Sequence, residues 1–289
     1  MHGLLNIDKP AGVTSRAVVN RGERVLTPLA VGHAGTLDPL ATGVLVLAVG
    51  RATKLIDHLH RFSKTYVATF LLGRSSDTED VTGLISQLED APQPSREELL
   101  LALPQFLGKI QQQPPAYSAL KVGGKRAYQL ARRGHEVLLQ PRPIVVQRFE
   151  ILNYNYPELK VEIECGSGTY VRSLGRDLAR AVGTEAVMLA LQRTRIGPFD
   201  ISSAVAPDDV RGDNVAKLLQ PSLLAAQGLP NVALRANQVA ELQRSGVLFD
   251  LQQPICAGEE LAALAPDGRL FAVLTPSKGD RWKVKILLG

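Results

Sequence analysis

The chain has 289 residues, 45% of them apolar and 21% charged, which is enough for a sizeable core and one or two domains and excludes a chain disordered along its length. A formal charge of +5 permits a polyanionic partner without requiring one. Two distant cysteines (Cys165 and Cys256), scattered histidines, and the lack of a signal peptide or long apolar run argue against a disulfide framework, a zinc site and a membrane span, and favour a reducing cytoplasm.

In chain order, residues 3–8 read as a short strand ended by the turn signal Lys9-Pro10-Ala11-Gly12. Thr14 or Ser15 can cap the helix that follows to about Leu26, in which Gly22 is a weak interior residue. Residues 44–49 form a short apolar, β-branched run, hence a buried strand. Residues 53–62 read as helical and residues 64–72 as a strand. His58 and His60 lie two apart within that helical stretch, so their rings diverge and no metal is expected there. Ser95-Arg96-Glu97-Glu98 opens a capped helix. Strands are expected at 144–153, 159–165 and 186–194, with a helix at about 170–182 entered through Gly166-Ser167-Gly168. Gly228-Leu229-Pro230 reads as a boundary. Beyond it, a helix at 237–244 and short strands separated by Pro266-Asp267-Gly268 and Ser277-Lys278-Gly279-Asp280 suggest a small β-barrel.

Charge is unevenly spread. Between residues 104 and 148, eight basic residues stand against the single acid Glu136, a net charge of +7. The flank before it is acidic: Asp77, Glu79, Asp80, Glu89, Asp90, Glu97 and Glu98. Two solvated faces of opposite sign, or a stretch that meets a polyanion, would each read this way.

The segment 31–43 gathers three glycines around His33, Thr36, Asp38 and Thr42. It lacks the Gly-Lys-Ser/Thr ending of a phosphate-binding loop and the second histidine of a nucleotidyltransferase loop. Two readings of Asp38-Pro39 remain open on spacing alone: a carboxylate that does chemistry, or a plain Asp-stabilised turn.

A longer comparison bears on that choice. Leu5-Asn6-Ile7-Asp8-Lys9-Pro10-Ala11-Gly12-Val13-Thr14-Ser15 resembles the first motif of the TruB family of pseudouridine synthases. Gly32-His33-Ala34-Gly35-Thr36-Leu37-Asp38-Pro39-Leu40-Ala41-Thr42-Gly43 is similar to its second. Lys64-Thr65-Tyr66, Pro114-Pro115-Ala116-Tyr117-Ser118-Ala119-Leu120-Lys121, Gly124-Lys125-Arg126-Ala127-Tyr128, Cys165-Gly166-Ser167-Gly168-Thr169-Tyr170-Val171-Arg172 and Leu191-Gln192-Arg193-Thr194-Arg195-Ile196-Gly197-Pro198-Phe199 continue the likeness in order. Gly166, Val187 and Gln192 depart from the residues usual there, outside the expected catalytic positions.

The resemblance implies an α+β fold. A catalytic domain at 1–230 would have a mixed, mainly antiparallel sheet flanked by helices and a basic RNA-binding insertion at about 104–148. A PUA-like barrel would occupy 231–289. It implies isomerisation of uridine to pseudouridine at position 55 of the tRNA T-loop, by base flipping and attack of Asp38. Arg172 is then the cation that keeps Asp38 ionised, Tyr66 stacks on the base and handles a proton, and Leu191 lines the pocket. His33 fills the vacated stack, while Lys9, Lys64, Tyr117, Lys121, Lys125, Arg126, Arg132 and Arg133 contact RNA. No cofactor, metal or guide RNA is expected, and the chain is expected to act as a cytoplasmic monomer on the T-arm. The rival expectations are a tRNA-folding chaperone with incidental catalysis and a guide-dependent, dyskerin-like enzyme on ribosomal RNA.

Overall fold

The computed structural model describes residues 1–118, 120–135, 137, 139–249, 251, 259–277 and 281–289. Ala119, Glu136, Cys256 and Lys278-Gly279-Asp280, which figured in the readings above, lie outside the described residues.

The chain runs β1 (Gly3–Lys9), α1 (Ser15–Leu26), β2 (Val31–Ala34), β3 (Thr42–Val49), α2 (Ile56–Arg61) and β4 (Lys64–Leu72). The hairpin β5 (Arg74–Ser76) and β6 (Ile85–Gln87) follows, then α3 (Arg96–Ala102) and β7 (Gly108–Gln112). A second hairpin, β8 (Lys121–Val122) and β9 (Lys125–Arg126), leads into α4 (Ala127–Ala131). Next come β10 (Arg142–Asn155), β11 (Glu158–Cys165), α5 (Val171–Ala181), β12 (Ala186–Ile196), β13 (Phe199–Asp200) and α6 (Val215–Leu218). The last part holds β14 (Asn231–Ala233), α7 (Ala236–Ser245), β15 (Val247–Phe249), β16 (Leu261–Leu264), β17 (Leu270–Ser277) and β18 (Arg281–Leu287).

Among the described residues the larger sheet has nine strands in the order β1-β3-β12-β4-β11-β10-β7, with β2 beside β3 and β13 beside β12. Every pairing is antiparallel except β3 with β12, which sets Thr42 beside Gln192 and Gly43 beside Arg193. This is the mixed, mainly antiparallel sheet that was expected. One face carries α5 and α3, around a core that includes Phe70, Leu99, Val161, Leu174, Leu178 and Met188. Burying each such large side chain contributes about 1.5–3 kcal/mol relative to exposure.

Two expectations are corrected locally. The glycine-rich segment is not loop throughout: its first four residues form β2, because Val31 and Ala34 can bury themselves while pairing with Val49 and Val46 of β3. The helix expected at 53–62 begins as the 3-10 turn Gly50–Leu55 and becomes α-helical only at Ile56. Gly22 is tolerated inside α1, where it is buried and a Cβ would meet Val31 at an ordinary contact distance of 3.4 Å.

The smaller sheet has the order β14-β16-β17-β18-β15 and curls into a half-barrel. One of its faces holds its own core of Leu242, Leu248, Phe271, Leu274 and Trp282. Ala262, Leu270, Val273 and Ile286 instead pack with Leu4, Val44, Val46 and Ala48 of the larger sheet. Polar contacts reinforce that seam. Glu260 accepts from His58 (2.8 Å) and Arg61 (2.9 Å) of α2 and pairs with Lys285 of β18.

Candidate active site

Between β2 and β3, residues 35–41 form a loop that carries Asp38 at a tight turn, closed by a bond from Ala41 N to the Asp38 carbonyl (3.0 Å). The cap of α1 divides the labour left open in the sequence. Thr14 caps the helix by accepting from Ala17 N (3.1 Å), which leaves Ser15 for the loop. Ser15 Oγ accepts from Leu37 N (2.9 Å) and donates to the Leu37 carbonyl (3.1 Å), so the residue before Asp38 is held on both sides.

Lys9 holds the other flank. It is fully buried, and its ammonium donates to the carbonyls of Pro10 (2.8 Å), Val13 (2.8 Å) and Pro39 (3.5 Å). Burial draws its pKa down to about 8, with nearby Asp38 opposing the shift and Arg193 adding to it. Lys9 is therefore not a surface cation waiting for phosphate. Lys64 departs from its expected place in the same way. It is 5% exposed, donates to the carbonyls of His60 and Phe62 (2.6 Å each) and to Ser167 Oγ (2.5 Å), and is likewise drawn to about 8 by burial and by Arg193.

α5 brings Arg172 to the opposite side of Asp38. Its start is fixed by Gln112 at the end of β7, whose amide donates to the Tyr170 carbonyl and accepts from Tyr170 N, both at 2.9 Å. The Arg172 guanidinium lies 3.1 Å from Asp38 and 3.5 Å from Asp80, and it donates to the carbonyls of Thr78 and of Tyr117 (3.1 Å). Its side chain is 7% exposed against 43% for Asp38, so a sheltered cation presents an accessible carboxylate. The site around Asp38 is open to solvent in this structure.

Asp80 belongs to the flank that read as a solvated acidic face, yet it is 5% exposed. It accepts from Thr78 Oγ1 (2.8 Å), Thr82 N (2.9 Å) and Thr82 Oγ1 (2.5 Å). Glu79 turns inward too. These two were missed as site residues because charge patterning alone reports only composition, not direction.

The floor of the site is made where β4 and β12 pair. Leu191 lies opposite Ala68 and is buried, and half-buried Tyr66 packs into the same apolar cluster with Leu37 and Ala41. Burial pushes the Tyr66 phenol up from its ordinary range, while neighbouring Arg193 opposes that. Arg193 was read only as part of a motif. It is 1% exposed, sits 6.0 Å from the Tyr66 ring centre, and donates to the carbonyls of Val44 (2.7 Å) and Gly35 (3.0 Å). Among the described residues it pairs with no carboxylate. Gly43, at φ +100°, is what admits it, because a Cβ there would run into the Arg193 backbone.

His33 stands on β2, half-buried, with Nδ1 sheltered and unbonded among the described residues. Burial, then Arg193 and His60, lowers its pKa, so its ring favours the neutral form. The basic segment behaves differently from Lys9 and Lys64. Lys121, Lys125 and Arg126 on the β8–β9 hairpin, and Arg132 and Arg133 after α4, are all exposed. Tyr117 meets the site through its carbonyl, and Arg132 lies over the Tyr128 ring at 5.7 Å. The structure thus brings Asp38, Tyr66, Arg172 and Leu191 together and leaves the hairpin cations on the surface.

The profile described as "TruB family pseudouridylate synthase (N terminal domain)" matches residues 23–171. The tRNA pseudouridine synthase B of Mycobacterium leprae (strain TN) is 46% identical over 299 aligned residues, covering 99% of this chain and 90% of that protein. That of Cutibacterium acnes is 40% identical over 278, covering 95% and 93%. A solved chain of a Cbf5-Nop10-Gar1 complex is similar in fold, with a TM-score of 0.75 and 25% identity over 99% of this chain and 84% of that one.

Proposed function

The chain belongs to the TruB family of pseudouridylate synthases, and from that premise we propose that it isomerises uridine to pseudouridine at position 55 in the T-loop of tRNA, unaided by guide RNA. The observation that carries the reading is the accessible Asp38 carboxylate, 3.1 Å from a buried guanidinium.

The reaction breaks the N1–C1′ bond, turns the uracil and joins C5 to C1′. The C5 proton is lost, N1 gains one, and no electrons are exchanged with a cofactor. A carboxylate nucleophile divides this into two easier steps, with a covalent adduct between them. Asp38 takes that role. Arg172 grips one of its oxygens and steers the free one toward the incoming nucleotide. The target must leave its stack to reach Asp38, at a cost of a few kcal/mol. Tyr66 and Leu191 receive the flipped base, Tyr66 stacking on it and serving the proton transfer. His33, flat and largely neutral, fills the gap in the T-loop.

The exposed cations Lys121, Lys125, Arg126, Arg132 and Arg133 meet tRNA phosphates. Lys9 and Lys64 serve the reaction from within, by holding backbone. The chain divides functionally at about residue 230: 1–230 performs catalysis, and the half-barrel of 231–289, a PUA-like module, reaches the acceptor end. No helix among the described residues is long and apolar enough to cross a membrane. The enzyme acts as a monomer in the cytoplasm.

A tRNA transcript tritiated at uracil C5 tests this. Tritium should pass to water without guide RNA, metal ion or nucleotide, and a transcript with cytidine at position 55 should release none from that site. Asp38→Asn should bind tRNA and release nothing. Release that required an added guide RNA would overturn the stand-alone reading.

A further inference from the structure

Glu79 adopts φ +62°, a left-handed backbone that glycine or asparagine takes far more readily. Such a conformation persists where the surroundings over-determine it, and here the side chain does so. Glu79 is 11% exposed at its side chain, pairs with Arg176 Nη1, and accepts from Ser173 Oγ at 2.7 Å. Its carbonyl accepts from Met188 N (3.0 Å), and Val81 N donates back to the Met188 carbonyl (3.0 Å), so the loop is pinned to β12 as well.

Arg176 lies one turn beyond Arg172 on the same face of α5. The two arginines make parallel sets of contacts. Arg172 takes Asp80 and the Thr78 carbonyl from the 77–80 loop, and the Tyr117 carbonyl from the root of the basic segment. Arg176 takes Glu79 from that loop and the Gln113 carbonyl (3.1 Å) from that root. Only Arg172 also reaches Asp38. Arg172 by itself ties loop and root to α5 through side-chain contacts at one point of the helix only. A second anchor about 6 Å along the helix fixes their orientation as well.

We propose that Glu79 and Arg176, assisted by Ser173, are positioning residues for catalysis: they register the 77–80 loop and the root of the RNA-binding segment on α5, and so fix the guanidinium that orients Asp38. The proposal rests on the reading of Asp38 and Arg172 as the reacting pair. Neither Glu79 nor Arg176 touches substrate. Their effect travels through Arg172, whose geometry matters because Asp38 is otherwise free to turn in its open site.

The test compares Glu79→Gln, Glu79→Gly, Arg176→Met and the Glu79→Gln/Arg176→Met double variant of the full chain. It reads single-turnover tritium release at saturating tRNA, tRNA Kd and Tm. Glu79→Gly relieves the left-handed backbone while deleting the ion pair, which guards against a variant that merely fails to fold. Each single variant should slow release by on the order of tenfold, as small misplacements of reacting groups do. The double variant should be no slower than the worse single one, as for two residues acting as a unit. A wild-type rate in Glu79→Gly overturns the proposal. So does a lowered Tm, or a weakened Kd, with an unchanged rate. Asp38→Asn separates the two ideas. If it is inactive while the pair variants are normal, only the positioning role fails; if it turns over normally, the reading of Asp38 itself fails.

Discussion

Arg172 holds Asp38 at 3.1 Å from a position far less exposed than the carboxylate it holds. The same guanidinium spans Asp80, Thr78 and Tyr117, so its planar fork is used in several directions at once. Arg172→Lys keeps the charge but cannot make that set of contacts. Single-turnover release should fall by more than about tenfold, while tRNA affinity stays near wild type. Arg172→Met would also strand buried Asp80 and cost about 3 kcal/mol in urea unfolding. Adding Asp80→Asn should recover part of that stability and none of the rate.

Arg193 is a buried cation without a carboxylate partner among the described residues, bonded to two carbonyls beside the Asp38 loop. Arg193→Met removes the burial cost of the charge and leaves those carbonyls unsatisfied, so the net change in stability should stay within about 2 kcal/mol. The rate should drop nonetheless, because Gly35 is released. A variant with full turnover would show that Arg193 only fills space.

Lys9 links rate and stability with opposite signs. Its folded pKa of about 8 lies below the ordinary 10.5, through burial. As pH rises through about 8 the ammonium is lost, its grip on Pro39 weakens, and turnover should decline. Over the window from about 8 to 10.5 the unfolded chain binds the extra proton, so the lysine's contribution to stability should rise with pH. Lys9→Arg should move the alkaline limb of the rate profile upward. A limb that does not move belongs to Lys64, which titrates in the same range.

Glu260 is the polar node of the seam between the two sheets. Burial works against its charge, but Lys285, Arg61 and His58 overcome that and hold its carboxyl at about 2, below the ordinary 4.5. The stabilisation it supplies is therefore present above about 4.5 and lost as pH falls toward 2. Glu260→Gln should lower stability at neutral pH by about 1–3 kcal/mol and flatten the acid limb of Tm against pH. An unchanged limb would assign acid sensitivity elsewhere.

Lys125 and Arg126 are exposed on a two-stranded hairpin and carry no structural load among the described residues. Lys125→Ala and Arg126→Ala should weaken tRNA binding and each reduce the slope of log affinity against log salt by about 1, with Tm unchanged. An unaltered slope would detach the hairpin from the phosphates.

Much of this was legible in the order of residues. A run of β-forming residues marked β4, a cap at Thr14 or Ser15 marked α1, and a capping pattern marked α3, where Ser95 and Glu98 bond reciprocally. Collinear motifs singled out Asp38, Tyr66, Arg172 and Leu191 as one set before any contact was known. Such signals are local, and local propensities survive folding when the tertiary structure agrees with them.

Direction was not legible. Lys9 and Lys64 looked like cations for RNA and turned inward onto carbonyls; Glu79 and Asp80 looked like a wetted acidic face and became partners of Arg176 and Arg172. The chain by itself singled out the side chains that stand together at the candidate site and most of the strands and helices that hold them. Only the tertiary structure decided which charges are buried, through the parallel pairing of β3 with β12 and the packing of α5 beside the Asp38 loop. The reason is physical: whether a charge can leave water depends on partners supplied from distant segments, and no spacing along the chain specifies those.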